Sequence, residues 1–164
     1  MAWSLRRPEP DEAAALNAVV RAGFETYRTF APEGWEPPEE PDAVDRLRAQ
    51  VAAPAAFALA AYAEGELAGH VLWVPADAPS RDGSVPDIHF RSLFLLEPYW
   101  GSGLAHELHT RAIEAMEGRS ARLFTPAGQG RARSFYERRG WELYDGPYFE
   151  ARIAFEIVEY RRSG

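Results

Sequence analysis

A pair of glycines, Gly101 and Gly103, stands where backbone chemistry is easiest to read in this chain. They lie in Trp100-Gly101-Ser102-Gly103-Leu104-Ala105. The apolar run 88–96 precedes them, and a segment follows whose apolar residues Leu104, Ala105, Leu108, Ala112, Ala115 and Met116 keep helical spacing. A strand, a glycine turn and a helix start set backbone N–H groups before the positive end of a helix dipole. That is an anion site, most naturally for phosphate or pyrophosphate. The glycines alone do not choose the ligand: a Rossmann fingerprint wants a third glycine where His106 stands, and a P-loop ends in an absent Gly-Lys-Ser/Thr. His89, in the apolar run, is of the type that moves protons near neutrality. His106 and His109 flank Glu107 without the His-Glu-x-x-His spacing or a third ligand, so the expectation is a solvated helix face and no metal. His70 reads as structural. With no cysteine, the chain has neither a thiolate zinc site nor a cysteine nucleophile.

The elements that position these residues follow in order. Residues 3–7 form a short strand closed by Pro8, and Pro10 opens a helix carrying the stripe Leu16, Val19, Val20, Gly23, Phe24 and Tyr27. Residues 30–41, rich in proline, form a loop, and residues 42–51 a shorter helix. Strands are expected at 57–62 and 67–74, joined by Glu64-Gly65, and then at 88–96 and 121–125. The glycine helix lies between the last two, and a helix at 131–139 follows. Closing strands at 141–144 and 151–160 are split by Asp145-Gly146-Pro147. The order β-α-α-β-β-β-α-β-α-β-β predicts an α/β fold, a single mixed, largely antiparallel sheet with helices on both faces.

The 164 residues, 46% hydrophobic and 26% charged, predict one domain over 1–164. No run is apolar enough to span a membrane and no secretory signal opens the chain, which makes a cytoplasmic address the default. The formal charge of −7 argues against nucleic acid and leans toward small molecules or cationic amines.

The segment Gln129-Gly130-Arg131-Ala132-Arg133-Ser134-Phe135-Tyr136-Glu137-Arg138-Arg139-Gly140-Trp141 decides between the anion-site families. With Trp100 to Ala105 before it, it resembles the GNAT family of acetyl-coenzyme-A-dependent N-acyltransferases. That family joins an Arg/Gln-x-x-Gly-x-Gly/Ala turn to a later Asn-x-x-Ala-x-x-Phe-Tyr-x-x-x-Gly-Phe helix. The resemblance covers the whole chain, with two departures: Trp100 stands for Arg or Gln, and Gln129 for Asn. The first loses a side-chain partner but leaves the main-chain amides, and the second keeps an amide one methylene longer.

The resemblance implies acetyl-CoA as cosubstrate. Its pantetheine arm would lie along Leu93, Phe94 and Leu95 as an added strand, and its pyrophosphate on the amides of Gly101, Ser102, Gly103, Leu104 and Ala105 beside Trp100 and Gln129. It also implies that Tyr136 reaches the sulfur, where a phenol can protonate a departing thiolate. The competing reading makes Tyr136 a core aromatic on the face of Ala132 and Phe135. His89 lies near a glutamate that many members use as a base, with Asp87, Glu25 and Tyr27 as substitutes. The N–H of Leu95 would polarise the thioester carbonyl. Glu25, Tyr27, Trp35 with the loop glutamates, and Tyr148 would shape the acceptor pocket. The expected activity is acetylation of a small-molecule primary amine by direct attack. Protein N-terminal acetylation and a non-catalytic acyl-CoA module are the alternatives, and a homodimer is left open.

Overall fold

The computed structural model describes residues 2–163 as a seven-stranded sheet of order β1-β2-β3-β4-β5-β7-β6. Its strands are β1 (Ser4–Arg6), β2 (Phe57–Ala63), β3 (Glu66–Pro75), β4 (Ile88–Leu95), β5 (Ala121–Pro126), β6 (Glu142–Glu150) and β7 (Phe155–Arg162). Helices α1 (Ala13–Glu25) and α2 (Ala43–Ala52) follow β1, while α3 (Leu104–Met116) and α4 (Gly130–Glu137) flank β5. The element order and the mixed, largely antiparallel sheet agree with the expectation. Among the described residues no helix is long and apolar enough to cross a membrane.

Alternation along the strands sorts side chains between two layers. Leu16 of α1 and Leu47 and Val51 of α2 bury against Ala58, Ala60 and Leu72 on one face. Leu104, Leu108, Ala112 and Met116 of α3 meet Val71, Trp73, Ile88 and Phe90 on the other, where Tyr136 of α4 and Trp141 join them. A third cluster, Tyr27, Trp35, Phe155 and Ile157, closes the end near the α1–α2 loop.

One boundary differs from the sequence expectation. Asp145-Gly146-Pro147 does not split the closing strands: it lies inside β6 as an irregularity, with register shifts on either side of Asp145. The chain turns instead at residues 151–154. β6 is the outer strand, where a proline costs no ladder bond on the open side. Gly146 sits so close to β7 that a Cβ would lie 2.8 Å from the Ile157 carbonyl oxygen, so the pair can bulge there without leaving the sheet.

His109 corrects the solvated-face reading of α3. It is 4% exposed and accepts the Trp141 indole N–H at 2.9 Å on Nε2. Burial lowers its pKa to about 4, as burial does for His70; His89 falls to about 3 through burial and then Arg122. A free histidine titrates near 6.5, so between that pH and about 4 the unfolded chain binds more protons than the native one. Stability therefore rises with pH through this window and is lost as pH falls through it. Thermal melts should show Tm dropping steadily from pH 7 to 4.5. His109→Gln, which keeps an acceptor for Trp141, should flatten the slope; an equal slope in wild type and variant contradicts the assignment.

Candidate active site

β4 and β5 are parallel and pair only at Ile88–Ala121 and His89–Arg122, after which they part. β4 meanwhile stays bonded to β3 as far as Gly69–Leu95, and the Leu96 amide donates to the Ala68 carbonyl at 2.9 Å. In an antiparallel ladder alternate residues bond the same neighbour, so Phe94 and Ser92 also face β3. The amides of Leu93 and Leu95 consequently open into the split, as free edge groups that an extended ligand can join. The Leu95 carbonyl is taken: it accepts the Trp100 indole N–H at 3.0 Å.

The split widens into a cleft of about 400 Å³ that reaches the glycine turn. Gly103 caps α3 at φ 94° and Gly101 stands at φ 73°, left-handed values that side-chain-bearing residues seldom adopt. The turn refines the expected set of amides. The Ser102 amide donates to the Tyr99 carbonyl and the Leu104 amide to Ser102 Oγ, so neither faces a ligand, and the Leu104 side chain is fully buried. The amides of Gly101, Gly103, Ala105 and His106 take no backbone partner among the described residues. Free donors at a helix start fit a diphosphate.

Tyr136 is a core aromatic that also reaches the cleft lining. The residue is 8% exposed, and its ring packs edge-on against Phe90 and Trp141, each 6.1 Å away between ring centres. The residue nevertheless lines the cleft, and only burial acts on its phenol, pushing the pKa up. Tyr27 of the turn after α1 lines the same cleft. Its pKa is raised by burial and then by Tyr136, so the two phenols sit within electrostatic reach of each other.

The other sequence candidates divide. Leu93, Phe94, Leu95, Trp100, Gly101, Gly103, Ala105 and Gln129 all line the cleft. His89 does not: its Nδ1 accepts Arg122 Nε at 3.1 Å, and a group with a pKa of about 3 is a poor base. Asp87 is spent on Ser120, whose amide and hydroxyl it accepts at 3.0 Å each. Glu25 is exposed and paired with Arg28 at 2.6 Å, and Glu36 pairs with the same arginine at 2.7 Å. Trp35 is structural, stacked on Phe155 with its indole N–H on the Ile153 carbonyl at 2.6 Å. Tyr148 packs in the same cluster under the Arg81 guanidinium.

Cations were missed. Arg91, Arg131, Arg138 and Arg139 line the cleft together with His106, and no Asp or Glu does. The Arg131 guanidinium lies 4.5 Å from the centre of the Trp100 ring. The indole that replaces the family's Arg or Gln thus props a cation from the next helix beside the turn. The signal was present as four arginines between positions 131 and 139, but the net charge of −7 masked a local reversal.

An open sheet split beside a glycine-capped helix, with a phenol at the split, is the arrangement of an acyltransferase that takes its acyl group from a nucleotide thioester. Residues 20–141 match the model of the acetyltransferase (GNAT) family, and the chain belongs to that family. No curated protein sequence matches it. The fold is similar to that of PaiA N-acetyltransferase from Thermoplasma acidophilum, solved in complex with coenzyme A, with 16% identity, 100% of both chains covered and a TM-score of 0.68. It is also similar to NAA60 of Arabidopsis thaliana in complex with a bisubstrate analogue, with 18% identity, 99% of this chain and 98% of that one covered, and a TM-score of 0.68. A third is a histone acetyltransferase HPA2 and related acetyltransferase from Corynebacterium glutamicum, with 19% identity, 99% and 97% coverage and a TM-score of 0.69.

Proposed function

We propose that this chain moves the acetyl group of acetyl-CoA to the primary amine of a small molecule by direct attack in a ternary complex. One observation carries the reading: a single cleft gathers the free amides of the glycine turn, the open edge of β4 and the Tyr136 residue. The turn amides and Arg131 would hold the diphosphate, and the Leu93 and Leu95 amides the arm and the thioester oxygen. Acetyl-CoA supplies an acetyl group on a good leaving thiolate. Tyr136 holds a proton for that sulfur, and Tyr27 and Phe94 wall the acceptor side and exclude water.

The cleft lining offers no carboxylate to take the proton of the amine, and four arginines stand in it. A positive lining disfavours a bound ammonium, so the acceptor reacts as the free amine, its proton passing to water. kcat/KM should therefore rise with pH up to the pKa of the acceptor itself. No acidic limb from a protein base should appear, and no alkaline fall below about pH 10, the ordinary phenol value from which Tyr136 is raised. A pH profile that keeps one limb near pH 6 for acceptors of different pKa contradicts this.

Calorimetry with acetyl-CoA and a free-thiol assay over an amine library test the reading. Micromolar binding with thiol release on small amines supports it. Turnover confined to peptides with a free N-terminus would instead assign a protein acceptor. We also propose a cytoplasmic address, and pairing of two copies through the open β6 edge, where Leu143 and Phe149 are exposed.

A further inference from the structure

Arg91 is the one cation of the cleft that lies on β4, and the cofactor reading leaves it unused. It is the extra residue of a bulge: Phe90 pairs with Trp73 and Ser92 with Leu72 across β3, which leaves Arg91 without a partner. Four residues of strand, roughly 13 Å, separate it from Leu95 and the glycine turn, so it cannot share the diphosphate with Arg131. No carboxylate stands within ion-pair distance of it among the described residues. Glu40 and Asp42 are held by Arg46 at 2.6 and 3.6 Å, and Glu150 by Arg152 at 3.6 Å. Partial desolvation and then Arg46 lower its pKa, with Arg152 adding to this, while Glu40 and Asp77 act the other way. Tyr27, Phe94 and Phe124 supply apolar wall in the same cleft.

We propose that the acceptor carries a carboxylate in the same small molecule as its amine, and that Arg91 is the residue that reads it. This deepens the transferase reading and rests on it. An arginine that lines a cleft without a protein carboxylate can be completed by an anionic ligand, to which its guanidinium can offer two parallel N–H donors. The same cation repels diamines and leaves an uncharged peptide end without its partner, so it selects amino acids and short amino carboxylates over both.

The test compares free amino acids, β-alanine and 4-aminobutyrate with their matched carboxamides in wild type, Arg91→Gln and Arg91→Glu. Coenzyme A release gives kcat/KM, and calorimetry of the N-acetylated acids with coenzyme A present gives binding without turnover. The wild type is expected to favour the acids by about tenfold or more, the scale of one charge-assisted contact. Arg91→Gln should bring the ratio near one, and Arg91→Glu should turn it toward amides, with acetyl-CoA affinity and Tm unchanged. Turnover with equal rates on acids and amides, or a ratio untouched by Arg91→Gln, overturns the proposal and leaves the transferase reading standing. If nothing turns over, that reading falls, and calorimetry decides this one: weaker acid binding in Arg91→Gln supports it, and no acid binding in the wild type overturns it.

Discussion

Tyr136→Phe is expected to lower kcat by about ten- to a hundredfold while leaving acetyl-CoA affinity nearly intact, the range a lost general acid gives. The substitution removes one oxygen and keeps the ring, whose contacts with Phe90, Phe135 and Trp141 hold the helix against the sheet. Fold and cleft shape therefore survive, and the loss reports the hydroxyl alone. Burial holds the phenol protonated through neutral pH, so every enzyme molecule carries the proton the sulfur needs. Steady-state kinetics with calorimetry of coenzyme A separates the two effects. A fall in kcat and kcat/KM together, with Kd fixed, marks an interaction made only as the thiolate leaves. Unchanged turnover removes Tyr136 from the chemistry.

Arg131→Glu is expected to weaken acetyl-CoA binding by about tenfold or more, with kcat at saturation little changed. The substitution replaces a cation near the turn by an anion, so attraction for a diphosphate becomes repulsion across a partly solvated gap. Arg131→Ala should give a smaller loss, and the wild-type affinity should fall with added salt more steeply than that of either variant. Trp100→Ala frees the same guanidinium from its ring and should reproduce part of the effect. Calorimetry at two salt concentrations checks the series. Equal affinities across it would leave the backbone amides as the whole anion site.

Much of this arrangement was legible in the residues. Gly101 and Gly103 require a left-handed backbone that few other residues supply, and the Phe135-Tyr136 pair with Gly140 and Trp141 fixed the second motif. What stayed hidden was pairing over distance. His89 has the right residue type in the right strand, but its ring nitrogen belongs to Arg122, a partner 33 positions later on the neighbouring strand. Trp35 and the loop glutamates read as an acceptor pocket because sequence shows charge and not who neutralises it. Arg28 and Arg46 take up Glu25, Glu36 and Glu40. His109 reads as part of a solvated face because it is grouped with His106 and Glu107, whereas its position on α3 faces Trp141 and Phe135. The bulge that frees Arg91 depends on the register of β3 and has no local signature.

A crystal structure with coenzyme A bound tests the central claim most directly. The diphosphate should rest on the amides of Gly101, Gly103, Ala105 and His106 with Arg131 beside it, and the sulfur should lie within hydrogen-bond reach of the Tyr136 hydroxyl. A diphosphate held elsewhere, or a sulfur that Tyr136 cannot reach, would contradict it.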